Sequence, residues 1–122
     1  MIGPLKNPRG LPASARILAR AEFARLNATG KRLINGCLIA NWILLTPGDS
    51  SRLGVISSRK LGPAPLRNRA RRLLREAFRL HRNELAAPIA LVLVARASIE
   101  GMSLAEVERD LLATLRKGKV LP

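Results

Sequence analysis

The sequence is poor in the residues that carry most protein chemistry. Its 122 residues include one cysteine, Cys37, and one histidine, His81. A lone cysteine excludes an internal disulfide, and the two residues together cannot furnish a Cys/His zinc site. Phe23, Trp42 and Phe78 are the only aromatics. Acidic side chains number 8 against 22 lysines and arginines, a net charge of +14. The apolar run around Pro88–Ala95 falls far short of the roughly 20 residues a membrane span requires, so no membrane partner is expected. Pro4, Lys6, Pro8 and Arg9 stand where a secretion signal would need an apolar centre, so a cytoplasmic location is expected. Hydrophobic residues make up 48%, enough to close one modest core.

The charge is concentrated. Residues 1–32 carry net +6 and residues 59–82 net +8, whereas 33–58 and 83–122 are each neutral. A surface shaped only for solubility mixes its signs; clustering of this kind focuses positive potential toward a polyanion. Seventeen of the 22 basic residues are arginine, whose planar guanidinium grips phosphate with paired hydrogen bonds. The basic segments offer mainly Ala and Leu opposite their charges, without the large anchors of a membrane-surface helix. Nucleic acid is the partner this pattern favours.

Along the chain, residues 1–13 read as a mobile basic lead, residues 14–117 as one domain and 118–122 as a short tail. Ser14 to about Asn27 has helical periodicity. Gly36–Leu45 reads as a strand, Thr46-Pro47-Gly48-Asp49 as a turn, and Arg52–Ser58 as a second strand pairing with the first in a hairpin. Gly62, Pro63 and Pro65 form a stiff loop, after which a helix is expected from about Leu66 to Arg82. Ile89–Ala95 is an apolar run of the kind buried on both faces of a sheet. A last helix spans Ser103 to about Lys117, opened by a Ser103/Glu106 capping box and striped by Leu104, Val107, Leu111 and Leu115. The expected order is α-β-β-α-β-α, an α+β sandwich with helices packed on a small mixed sheet.

On a wheel at about 100° per residue, Leu66, Ala70, Leu73, Leu74, Ala77, Leu80 and His81 share one arc of the middle helix, with Phe78 at its edge. Arg71, Arg72, Arg75, Arg79 and Arg82 share the opposite arc around Asn68, flanked by Arg67 and Arg69. Five arginines on one face repel each other and weaken the helix, with only Glu76 to offset them. An anionic ligand gives that cost a purpose. Duplex DNA is not the expected one, because a base-reading helix mixes Arg with Asn, Gln and Ser, and these contacts are almost all of the phosphate type.

The run Arg52-Leu53-Gly54-Val55-Ile56-Ser57-Ser58-Arg59-Lys60-Leu61-Gly62, followed by Arg67-Asn68-Arg69 and the basic residues through Arg79, resembles the signature of the bacterial ribonuclease P protein family. Phe23, Gly30-Lys31, Ala95-Arg96 and the Leu-rich final helix extend the likeness over about residues 14–117. The resemblance implies a left-handed βαβ crossover carried by the Arg-Asn-Arg helix. It also implies a ribonucleoprotein in which an RNA subunit, with Mg²⁺ bound mainly by that RNA, cuts the 5′ leader from precursor tRNA. Arg59, Lys60, Arg67, Asn68, Arg69, Arg71, Arg72, Arg75 and Arg79 are then the expected contacts to the catalytic RNA. Phe23, Asn27, Asn41 and Ser57 are the expected contacts to the leader. Asn27, Leu38 and Asn41 stand at cleft positions where the family commonly has aromatics.

No set of side chains reads as a protein nuclease. His81 falls toward the apolar arc, Cys37 in an apolar strand reads as a core thiol, and the acids near the last helix are accounted for by capping and pairing. No catalytic residue and no metal ligand is expected on this chain. Composition alone also fits a structural or ribosomal RNA-binding protein without a link to cleavage.

Overall fold

The structure, a computed structural model, describes residues 25, 26 and 28–122. The expected basic lead, most of the first helix, and Phe23 and Asn27 lie outside the described residues. Residues 25, 26, 28 and 29 are helical. After them come β1 (Lys31–Asn35), β2 (Leu38–Leu44), β3 (Arg52–Ile56), α1 (Ala64–His81), β4 (Ile89–Ala95) and α2 (Leu104–Lys117). The strands form one mixed sheet in the order β1-β2-β4-β3.

Two expectations are corrected. A strand with no counterpart in the expected order, β1, precedes the expected one: Asn35 pairs with Leu38 across Gly36-Cys37, and β1 runs antiparallel to β2. Gly36 has φ +57, the positive value a two-residue hairpin asks of its first position. The acceptor that holds this turn comes from α2, where Asp110 Oδ2 takes the Cys37 N–H at 3.0 Å. A Cβ on Gly36 would sit 2.2 Å from that oxygen, so only glycine lets the carboxylate in. The second correction is that β2 and β3 do not pair. β4 lies between them, antiparallel to β2 and parallel to β3. The apolar run of β4 belongs in the middle of the sheet, where both faces are covered; all its residues but Val94 are buried.

Alternation along the strands builds two unequal cores. Leu38, Ala40, Trp42, Leu53, Leu91 and Leu93 face α1 and α2, meeting Leu74 and Phe78 from one helix and Leu111 and Leu115 from the other. The opposite face carries Ile43, Ala90 and Val92 against Leu26. Trp42 and Phe78 are core residues. The capping box of α2 is present in full, with Glu106 N–H donating to Ser103 Oγ and Ser103 N–H to Glu106 Oε1. The hydrogen bonds that Ser103 donates to the Glu106 carboxylate, from its N–H and then from its hydroxyl, hold that carboxyl below its ordinary range. Past α2, Val120 and Leu121 are buried, and Val120 C=O accepts the Ala86 N–H at 2.9 Å. The last residues thus close the helical core.

Candidate nucleic-acid interface

The connection from β3 to α1 sets the site. Ser58 leads into a 3₁₀ turn at Arg59–Leu61, which leaves Arg59 and Lys60 exposed. Gly62 follows at φ +132, open only to glycine, and turns the chain into α1. The helix starts at Ala64, two residues earlier than expected, because Pro65 in its first turn has no N–H to lose. Its N-cap is Pro63, which offers no side-chain acceptor, and no acid stands in the first turn.

Into this uncapped end the sequence puts arginines. Arg67 reaches back to donate from Nη1 to Gly62 C=O at 2.8 Å. Arg71 donates from Nη1 to Ser57 Oγ at 2.8 Å and from Nη2 to Asn68 Oδ1. Ser57 Oγ in turn donates to Arg67 C=O at 3.4 Å. The end of β3 is thereby laced to the first two turns of α1, and two guanidinium groups are oriented by neutral partners that leave their charge intact. Arg72 and Asn68 are exposed beside them. Farther along, Arg79 meets Glu76 in a two-pronged ion pair, Nη2 to Oε2 at 2.6 Å and Nε to both oxygens at 3.0 Å. Those hydrogen bonds hold the Glu76 carboxyl below the usual carboxylate range. Arg75 is half-buried on the same face.

Arg69 does not join this group. It points toward the start of α2, donating from Nη2 to Met102 C=O at 2.8 Å, and so ties the two helices. Its wheel position, about 60° beyond Arg72 at the far edge of the arc, puts α2 within its reach. Of the expected leader contacts, the two described, Asn41 and Ser57, are not brought together either. Alternation puts Asn41 on the sheet face of Ile43 and Leu26, whereas Ser57 faces α1.

His81 and Cys37 are engaged structurally. His81 lies between two carboxylates, Nδ1 at 2.9 Å from Glu84 Oε2 and Nε2 against Glu108 of α2. The hydrogen bond to Glu108, helped by Glu84, raises its pKa above the ordinary histidine value. This clamp between helix ends was not legible in the sequence, because Glu108 is 27 residues away. Cys37 is buried in the hairpin turn, and burial first, then the Asp110 carboxylate, pushes its thiol up to about 12. Among the described residues no three His, Cys, Asp or Glu side chains are grouped to hold a metal ion. The Mg²⁺ implied by the resemblance therefore finds no ligand cluster there. No described helix is long and apolar enough to cross a membrane.

The chain matches the ribonuclease P family model over residues 11–119. It is 39% identical to the ribonuclease P protein component of Desulfovibrio desulfuricans over 110 residues, covering 88% of this chain and 85% of that one. The corresponding protein of Gluconacetobacter diazotrophicus is 36% identical over 106 residues, with 86% and 91% covered. Among solved structures, the Staphylococcus aureus RNase P protein superposes with a TM-score of 0.77 at 29% identity, covering 88% of this chain and 98% of that chain. The Thermotoga maritima RNase P protein gives 0.71 at 29%, covering 84% and 96%. With a sequence match over nearly its whole length and the same fold in its relatives, the chain belongs to the bacterial ribonuclease P protein family.

Proposed function

We propose that this chain is the protein subunit of a ribonuclease P ribonucleoprotein, docking a catalytic RNA on the arginine face of α1 and promoting removal of the 5′ leader from precursor tRNA. The observation that carries the reading is the pair Arg67 and Arg71, oriented by Gly62 C=O and Ser57 Oγ with no carboxylate of the described residues against them. Fixed guanidinium groups beside exposed Arg59, Lys60 and Arg72 suit a folded phosphate backbone, since little side-chain freedom remains to be lost on binding. Asn68, Arg75 and Arg79 extend that surface. Asn41, with Phe23 and Asn27, is the proposed contact to the leader, Asn41 supplying hydrogen bonds in place of aromatic stacking, whereas Ser57, which faces α1, serves instead to orient Arg71. The cleavage chemistry, with its Mg²⁺, belongs to the RNA, and this chain supplies positive charge and substrate grip.

Reconstitution tests it. Mixed with a bacterial ribonuclease P RNA at low Mg²⁺, the full chain should stimulate 5′ leader removal from precursor tRNA. Replacing Arg67 and Arg71 by Ala should abolish most of that gain and lower the slope of log affinity against log salt by about 0.7–0.9 per lost phosphate contact. RNA binding without any stimulation of cleavage would refute the reading in favour of a structural RNA-binding protein.

A further inference from the structure

A second cationic surface lies away from α1. α1 packs beside β3 and β4, whereas α2 packs beside β1 and β2, and the two edge strands are separated by three strand spacings, about 15 Å. At the β1 side a groove of about 420 Å³ opens between Arg25 and Thr29, the ends of β1 and β2, and the chain just past α2. Its rim carries Arg25, Lys31 and Lys119, all exposed. Among the described residues no acid lines it, and none of the three cations forms an ion pair with a described residue.

The end of α2 is built unusually so as to complete this groove. Helices commonly stop with glycine in the left-handed position. Here Gly118 is right-handed, at φ −80, and Lys119 takes the left-handed conformation at φ 64. The reason for the inversion is Trp42: a Cβ at position 118 would come within 2.6 Å of two of its ring carbons, so glycine is spent on close approach. Lys119 is left to make the turn, its N–H fixed to Arg116 C=O at 3.0 Å. A lysine in a conformation that penalises any Cβ, with its ammonium at the rim of a cation-lined groove, has the mark of a functional position.

We propose that this groove is a second docking site for the phosphodiester backbone of the same folded RNA that docks on α1. The inference rests on the function proposed above. Three cations with no described acid among them select an anion. Trp42 forms the floor but is only 3% exposed, so no aromatic face is offered for stacking on unpaired bases. The groove therefore reads backbone, which favours a folded RNA over a single-stranded leader. Contacts on two sides of the domain let one protein hold two separate segments of one RNA.

Cross-linking tests the proposal with the full chain. Because native Cys37 is buried, Lys119→Cys and Arg72→Cys can each be labelled selectively with a photoactivatable aryl azide and bound to a bacterial ribonuclease P RNA transcript. Adducts from position 119 should map to an RNA segment different from those of position 72. In parallel, Lys31→Gln with Lys119→Gln should lower the log–log salt slope by about 1.5. Lys119→Gly separates charge from folding: it should raise Tm by relieving the backbone, yet still weaken RNA binding several-fold. Adducts from 72 with none from 119, an unchanged slope, or 119 adducts found only on a precursor's leader would overturn the proposal. Failure of the unaltered chain to bind the RNA at all would bring down the proposed function, and this inference with it.

Discussion

Replacing Glu76 by Gln should tighten RNA binding. Glu76 is the carboxylate on the arginine face of α1, and its two oxygens occupy Nε and Nη2 of Arg79. A phosphate approaching that face must compete for the same guanidinium edge and is repelled by the carboxylate as well. The amide removes the charge and keeps one weak acceptor, so Arg79 becomes available as a full cation. The pair is more than a third exposed on both sides, so its loss costs the fold little. One added phosphate contact should steepen the log–log salt dependence by about 0.7–0.9, which near 0.1 M salt corresponds to an affinity gain of up to about tenfold. Filter binding of the RNA between 0.05 and 0.4 M salt, on the order used for such slopes, reads both quantities. Glu106→Gln on α2 is the control, since it adds the same unit of net charge off the arginine face of α1 and a glutamine keeps the capping acceptor. Equal gains from the two variants would mean that only net charge matters. Unchanged or weaker binding by Glu76→Gln alone would refute the placing of RNA on the Arg79 side of the helix.

Three further outcomes follow from particular contacts. Asp110→Ala strips the Cys37 N–H of its acceptor in a tight turn and should cost about 1.5–3 kcal/mol in denaturant unfolding, whereas Asp110→Asn, which keeps an oxygen, should cost clearly less. His81 has its folded pKa raised above the unfolded value near 6.5, so its clamp on Glu84 and Glu108 contributes fully below about pH 6.5 and is lost as pH rises through the folded pKa. Urea titrations from pH 6 to 9 should therefore show declining stability that His81→Gln flattens; a parallel decline in the variant would assign it elsewhere. Pro63→Asp, at backbone angles of φ −61 and ψ 163 that suit a cap, should stabilise α1 by about 1 kcal/mol in thermal unfolding, while its negative charge weakens RNA binding.

Strong local signals in the sequence agree with the structure, and non-local pairings are not written in it. The capping box of α2, the doubly buried β4 and the arginine arc of α1 each rest on spacing within one segment, and each is present. β1 escaped notice because an edge strand shows only one side to the core: in Lys31–Asn35 Leu33 packs inward, while Lys31, Arg32 and Ile34 are exposed. The pairing of β2 with β3 failed for a different reason. Neighbours in sequence are good partners by default, and nothing in the turn announces that β4 will come between them. At the site, Arg69 fell just outside the arginine arc and turned to Met102. Leu80, placed inward by periodicity, is 43% exposed. The cationic groove was invisible, since Arg25, Lys31 and Lys119 come from opposite ends of the chain.

The two helices make the argument for function sharper than either does alone. α2 follows the local rules: Ser103 caps it, Glu106 sits in its positive first turn, and Arg116 and Lys117 sit in its negative last turn. α1 breaks the same rules at the same place. It begins on an uncapped proline, has no acid in its first turn, and sets Arg67 against the positive end of its own dipole. Both helices were assembled by one chain under one demand for stability, so composition bias cannot account for the difference. α1 holds together because Ala70, Leu74, Ala77 and Phe78 are buried against the sheet and α2, and because Ser57 and Gly62 take up the arginines nearest its start. Core packing thus bears a local electrostatic penalty whose location coincides with the cationic surface. A helix end that repels its own side chains is, by the same electrostatics, one that attracts phosphate.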